Sequence, residues 1–328
     1  MARLCSSLLL PLLIASSASG VTMDWTPIGD PGNACDPQPS AAGGRGCFGA
    51  VDHSYYIGTY EVTNAQYAEF LNAKAASDPF GLYDDNMGIV ASSAYGIARS
   101  GVSGSYTYTA VAGYEDRPVA LVTFHDAARF ANWMNNGQAN ADTETGAYTL
   151  LGGTATPTNW TTMTRNPGAT VFVPSHDEWF KAAYYDSSAG SYFDYPAGSN
   201  TPMTCAFPPT TAANTANCFD GDDAGLADVG SYTGSASPYG TFDQGGNVKE
   251  WTDTFNNPSS TPGSRFVRGG ADGSAFIEEL SSGFASSGFG VNSSTDRGFR
   301  LAYIPEPGTG LLVIAGLLGF AGFRRANA

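Results

Sequence analysis

The chain has 328 residues, 42% of them hydrophobic and 12% aromatic, which supplies a sizeable core and excludes a disordered chain. Charged residues make up only 14%, against about 25% in an average soluble domain, while Gly at 41 and Pro at 19 favour a loop-rich fold. Lys and Arg total 15 and Asp and Glu 30, and the resulting net charge of −15 would repel a polyphosphate backbone, so no nucleic-acid partner is expected.

The N-terminus has three parts: Met1-Ala2-Arg3, an apolar run from Leu8 to Ala15, and small residues from Ser16 to Gly20. This is the layout of a secretory signal peptide, read over residues 1–18, although cleavage after Ala18 or after Gly20 would satisfy the small-residue rule equally. Cys5 lies inside it without a Leu-x-x-Cys lipobox, leaving Cys35, Cys47, Cys205 and Cys218 in the exported protein. An even number in an oxidising compartment points to two disulfides with three possible pairings. Local pairing, Cys35 with Cys47 and Cys205 with Cys218, closes short loops and is preferred. Neither pair has the C-x-x-C spacing of a zinc ribbon or a redox motif.

Further along, three segments share one helix-starting device. Thr63-Asn64-Ala65-Gln66 has a hydroxyl at N-cap and an amide at N3, followed by Tyr67, Phe70 and Leu71 on one face. Thr123-Phe124-His125-Asp126 precedes an i, i+3, i+4, i+7 stripe of Ala127, Phe130, Ala131 and Met134, and Ser175-His176-Asp177-Glu178 precedes Trp179, Ala182 and Ala183. Strand-like runs are Tyr55 to Tyr60, Val119 to Val122, Thr170 to Val173, Phe266 to Arg268 and Phe299 to Tyr303. The stretches from Ala91 to Gly113 and from Ala197 to Ser237 read as long ordered loops. No internal repeat or long linker divides the chain, so one domain is expected.

At the C-terminus, Pro305-Glu306-Pro307 is followed by an uncharged stretch from Gly308 to Phe323 and then Arg324-Arg325. As a helix that stretch covers about 24 Å, short of the roughly 30 Å hydrocarbon core, which makes it a marginal transmembrane anchor. Its basic end should stay cytoplasmic. Residues 304–328 resemble the PEP-CTERM sorting signal of Gram-negative bacteria, which implies exosortase as a processing partner and the cell surface or extracellular matrix as the destination, by way of transient inner-membrane anchoring.

Six ordered motifs carry a second resemblance: Tyr56-Ile57-Gly58-Thr59-Tyr60-Glu61-Val62-Thr63-Asn64, Arg117-Pro118-Val119 with Phe124-His125-Asp126-Ala127, Pro174-Ser175-His176-Asp177-Glu178-Trp179, Gly246-Asn247-Val248-Lys249-Glu250-Trp251, Arg268-Gly269-Gly270 and Gly298-Phe299-Arg300-Leu301. Residues 50–303 resemble the formylglycine-generating enzyme, or sulfatase-modifying-factor, family. The resemblance implies an α/β (α+β) fold of the C-type-lectin kind with short helices and strands and much ordered loop.

In the sulfatase-activating members two cysteines, four and nine residues after the second Gly of the Gly-Gly motif, bind copper and oxidise a substrate cysteine. Here those positions are Ser274 and Glu279, and no cysteine follows Phe219. Cu(I) needs thiolate ligands, so no copper and no formylglycine-generating activity are expected. Related members hold a non-haem iron through histidines. The three histidines here, His53, His125 and His176, lack ligand spacing, and His125 and His176 read as surface or capping-region residues. There is neither a G-x-S-x-G elbow nor a phosphate loop.

The resemblance also implies calcium, held by the side chain of Asp243, the carbonyls of Gly246 and Val248, and Glu250. A second, less regular site would involve Asn217, Cys218 and an acidic residue such as Asp223. Calcium takes six to eight hard oxygens and tolerates irregular loops, so the donor types suit it. The expectation is a non-catalytic, calcium-stabilised module that binds an extracellular polysaccharide, a glycan or a surface protein. Two alternatives stand beside it. One is an enzyme of unknown chemistry, an oxidoreductase or an acid–base catalyst using Asp272, Ser274, Glu278, Glu279 or Asp296; the other is a structural matrix component.

Overall fold

The computed structural model describes residues 20–37, 46–89, 96–218, 225–274 and 276–305. The expected signal peptide over residues 1–18, Asp223, Glu306, Pro307, Arg324, Arg325 and the apolar stretch before Arg324 lie outside the described residues. Among the described residues no helix is long and apolar enough to cross a membrane.

The elements that position the site are strands β1 (Trp25–Ile28), β2 (Tyr55–Gly58), β3 (Val171–Phe172), β4 (Lys249–Phe255), β5 (Ser264–Arg268), β6 (Ser286–Phe289), β7 (Arg297–Gly298) and β8 (Ala302–Tyr303), with helices α1 (Asn64–Lys74), α2 (Phe124–Asn135) and α3 (His176–Tyr184). All three helices begin as their sequences require. Thr63, Thr123 and Ser175 each accept from the N3 backbone N–H, while Gln66, Asp126 and Glu178 reach back to the N-cap N–H. Each box satisfies two donors that a helix start otherwise leaves open.

The strands form two four-stranded sheets. The first, in order β1-β2-β8-β3, is antiparallel, with Ala302 opposite both Ile57 and Phe172, so the first and last strands of the domain share one sheet. The second runs β6-β5-β4-β7, with Glu250 opposite Arg268 and, in parallel, Gly298. The main core lies between α1, α2 and the strands, and includes Tyr67, Phe70, Phe130, Trp251 and Phe299, all buried. Trp251 keeps its indole N–H satisfied by donating to the Val122 carbonyl at 3.1 Å.

Three expectations need correction. Val119 to Val122 forms no strand: Leu121 sits at φ +61°, which breaks the extended run, and the segment is held by single contacts to Val62 and Ser294. His125 and His176 occupy first helical turns but are 1% and 2% exposed, because those turns face the interior. His176 packs against Phe48 and Phe266 and accepts from Arg268 Nε at 2.7 Å; burial and that guanidinium hold its pKa well below the usual histidine range. The two expected long loops each carry strands, a hairpin of Ile97–Ser100 with Thr107–Ala110 and a parallel pair of Thr204–Cys205 with Thr215–Ala216.

Disulfides join Cys35 to Cys47 and Cys205 to Cys218, the local pairing.

Candidate functional site

The segment from Asp243 to Trp251 is a tight loop running into β4. Asp243 and Asn247 lie at φ +60° and +59°, and Gly246 at +92°. A Cβ on Gly246 would fall 2.2 Å from the Asn217 carbonyl oxygen, so only glycine fits there. Around it, Gly246 N–H donates to Gly269 at 2.7 Å and Asn247 N–H to Asn217 at 2.8 Å. The Asn247 side chain accepts from Ala227 N–H and Asn217 Nδ2, and donates to Glu61 Oε1 at 3.2 Å. The loop is thereby tied to three distant parts of the chain before β4 begins.

Beneath the loop lies a buried charge cluster. Glu250 accepts from Arg300 Nε at 2.6 Å and from Trp179 Nε1 at 2.8 Å on Oε2, and from Arg300 Nη2 at 2.7 Å on Oε1. Arg300 also donates to the carbonyls of Gly58, Thr59 and Phe242. Glu61 Oε2 stands 3.9 Å from Arg300 Nη2 and accepts no hydrogen bond although it is buried. Asp243 Oδ2 accepts from Gly230 N–H at 2.6 Å. Three carboxylates thus share one guanidinium. Burial, reinforced by Asp243, raises the Glu61 pKa well above the carboxylate range, and burial, opposed by Gly230 and Arg300, lifts Asp243 to about 6.

The expected calcium donors meet here only in part. Asp243 and Glu250 both border the cluster and Gly246 and Val248 lie on the loop between them, but Glu250 is largely committed to Arg300 and Trp179. Asn217 is buried and donates to the Gly225 carbonyl at 2.9 Å, while Cys218 is disulfide-bonded. Among the described residues no group of three or more His, Cys, Asp or Glu side chains is arranged to hold a metal. The donor types on the loop, backbone carbonyls with the Asp243 carboxylate, are those a hard cation takes, and a site of clustered acidic ligands is not present among the described residues.

Glu61 and Arg300 were not singled out as site residues from the sequence. Their signal was a charged residue inside an otherwise apolar motif, Tyr60-Glu61-Val62 and Phe299-Arg300-Leu301, since such residues are seldom fully buried unless paired.

At the positions of the family thiols, Ser274 donates to Glu279 Oε2 at 3.1 Å and accepts from Ala271 N–H at 2.8 Å. Lys249 Nζ lies 3.2 Å from Glu279 and 3.2 Å from Asp296. Burial alone would lower the Lys249 pKa, but Asp296 and Glu279 outweigh it and raise it. The lysine is therefore an ammonium that holds two loops together and has no free pair to act as a base. Ser274 thus offers a hydroxyl where a Cu(I) ligand would be a thiolate.

Among the described residues, clefts also open elsewhere. One of about 480 Å³ is lined by Asp78, Asp84, Asp85, Arg99, Asp126 and Ser293. In it Arg99 pairs with Asp85 at 2.5 Å and stacks on the Tyr83 and Tyr106 rings. Leu121, also in its wall, carries the positive φ, a costly conformation for a branched side chain. Clefts of about 340 and 530 Å³ share Gly20 and Glu69 in their lining.

One antiparallel and one mixed four-stranded sheet, three short helices and long ordered loops define the class: a loop-rich α/β domain of the formylglycine-generating-enzyme, C-type-lectin-like fold. Residues 49–304 match the sulfatase-modifying factor enzyme 1-like domain, and the chain belongs to that family. Among solved structures it is similar to Treponema denticola variable protein 1, at 18% identity and TM-score 0.56 over 88% of this chain and 97% of that one. It is also similar to CarF, at 20% and 0.55 over 87% and 99%, and to PvdO from Pseudomonas aeruginosa, at 16% and 0.50 over 86% and 94%. These likenesses concern the fold alone. No curated protein matches the sequence.

Proposed function

We propose that this chain is an exported, non-catalytic binding module of the sulfatase-modifying-factor family, sorted through its C-terminal signal by an exosortase and displayed at the cell surface or in the extracellular matrix of a Gram-negative bacterium. The observation that carries the reading is the Ser274–Glu279 contact, closed by Lys249, where the family's redox chemistry needs two thiolates. Its ligand is an extracellular polysaccharide, glycan or surface protein. The cleft around Arg99 supports this, because it offers carboxylate acceptors, a guanidinium donor and hydroxyls, the mixture that a polyhydroxylated ligand engages. Calcium bound by the Asp243 loop would stabilise the domain, its charge balancing carboxylates that Arg300 leaves uncompensated.

The test has two arms. The mature protein should bind members of a glycan array, with Arg99→Ala removing the binding, and should leave the cysteine of a sulfatase-derived peptide unchanged with or without copper. Copper-dependent loss of that thiol, read by mass spectrometry, overturns the reading. An array on which wild type and Arg99→Ala behave alike removes the cleft from it.

A further inference from the structure

The outward side of the first sheet carries a row of apolar and aromatic residues. Strand pairing sets Pro27 opposite Tyr56, Tyr56 opposite Tyr303, and Tyr303 opposite Val171, one residue from each of β1, β2, β8 and β3. Directly paired residues share a face of the sheet, and Trp25, two residues before Pro27, shares it too. The neighbouring row, Thr26, Ile57, Ala302 and Phe172, is buried on the other side. In the outward row Pro27 is exposed, Tyr56 is 37% exposed, and Trp25, Tyr303 and Val171 are half-buried. The Tyr303 ring centre lies 5.7 Å from that of Trp25 and 6.0 Å from that of Tyr56, so the three rings form one strip. The solvated face of an antiparallel sheet ordinarily turns polar residues outward. This row carries no charge, and its side-chain hydrogen-bonding groups are two phenols and one indole N–H.

What meets this face follows from where the chain goes next. β8 ends at Tyr303, and the Ile304 N–H donates to the Thr170 carbonyl at 2.8 Å, so the domain holds the chain as far as Ile304. Only Pro305, Glu306 and Pro307 separate Ile304 from the uncharged stretch that runs from Gly308 to Phe323. Four residue steps reach at most about 14 Å, and two prolines with fixed φ stiffen so short a tether. A bilayer that takes up the apolar stretch therefore lies within that distance of Ile304, the residue next to Tyr303 of the strip. Tryptophan and tyrosine favour the boundary between water and hydrocarbon, because the ring is apolar and its tip is polar.

We infer that the strip of Trp25, Tyr56 and Tyr303 docks the domain on the phospholipid interface while residues 308–323 are inserted in the membrane, an inference that rests on the reading of the C-terminal segment as an anchor. The net charge of −15 gives the domain no attraction to an anionic surface, so the tether supplies the local concentration that the strip needs. Docking holds Pro305-Glu306-Pro307 at the membrane surface, where a membrane-embedded processing enzyme would meet it. Cutting the tether then releases the domain.

The experiment uses the full chain after signal removal, reconstituted in vesicles of phosphatidylethanolamine and phosphatidylglycerol whose acyl chains carry bromine near the headgroup. Flotation of the vesicles reads anchoring, and bromine quenching of tryptophan fluorescence reads docking. Wild type should float and be quenched. Trp25→Phe should float with most of that quenching lost, which places Trp25 at the lipid. Tyr56→Ser combined with Tyr303→Ser should float with weaker quenching although Trp25 is still present; neither tyrosine belongs to the buried core, and an unchanged melting temperature verifies the fold. If wild type floats unquenched, or if Trp25→Phe keeps the quenching, the strip does not face lipid and the inference is overturned while the anchor reading stands. If the Trp25 emission shifts instead on addition of the host's extracellular polysaccharide, the strip is a sugar platform, which also overturns it. If wild type does not float, the anchor reading fails and the inference fails with it.

Discussion

Burial of the Asp126 carboxyl should make acidification less damaging to this protein than to its Asp126→Asn variant, against the loss that protonation of the buried His125 and His176 brings as pH falls below the ordinary histidine range. Asp126 is buried at the start of α2, and burial, only partly offset by hydrogen bonds from Thr123, lifts its pKa from 3.8 to about 7. A carboxyl raised on folding contributes stability that is present below its unfolded pKa and lost as pH rises through the folded one, so this contribution appears between pH 7 and pH 4. Its size is on the order of 3 kcal/mol over that interval, at 1.36 kcal/mol for each tenfold difference in acidity. His53, raised by its bond to Glu178, adds in the same direction.

Glu178 behaves oppositely. Burial would raise it, but hydrogen bonds from Arg165 and His53 and the Arg165 charge outweigh burial and bring it from 4.5 to about 2. Its contribution is present above pH 4.5 and lost as pH falls through 2, again on the order of 3 kcal/mol. Urea denaturation followed by tryptophan fluorescence at pH 7, 5.5, 4 and 2.5 gives the profile, with calcium removed and 0.5 M salt present so that general repulsion at a net charge of −15 is screened. Relative to wild type, Asp126→Asn should lose more stability from pH 7 to pH 4, and Glu178→Gln should lose less below pH 4. An Asp126→Asn profile that runs parallel to that of wild type between pH 7 and pH 4 would refute the reasoning.

Two further outcomes follow from packing and covalent structure. Replacing Cys205 and Cys218 by serine opens a loop with a separation of 13 residues and should cost about 3 kcal/mol if the unfolded chain gains the corresponding loop entropy; an unchanged urea midpoint would show that the bond is dispensable. Trp251→Ala removes a fully buried indole and its bond to Val122, and should cost about 3–5 kcal/mol, read as a lower urea midpoint with an unaltered slope. A loss below 1 kcal/mol would mean that the β4 strand is not part of the cooperative core.

What could be read from the sequence alone is what short-range chemistry decides. Thr63, Thr123 and Ser175 start helices because the partner that caps them stands three residues away, and no tertiary contact is needed to see it. Cys35 meets Cys47 and Cys205 meets Cys218 across short loops for the same reason. The ordered motifs led to the family and hence the fold, and the absence of cysteine after Phe219 marks where its chemistry departs. The tertiary structure decided the rest. Asn247 reaches Glu61 across 186 residues and Arg300 reaches Gly58 across 242. No local pattern could therefore show that Glu250 is already paired or that Glu61 Oε2 is buried without a donor. His176 looks like an exposed helix-start residue in sequence; it is buried because β5 brings Phe266 and Arg268 against it. Partners of buried charges are selected by how the sheets pack, since a low-dielectric interior makes each charge depend on neighbours that only the completed fold brings within a few ångströms.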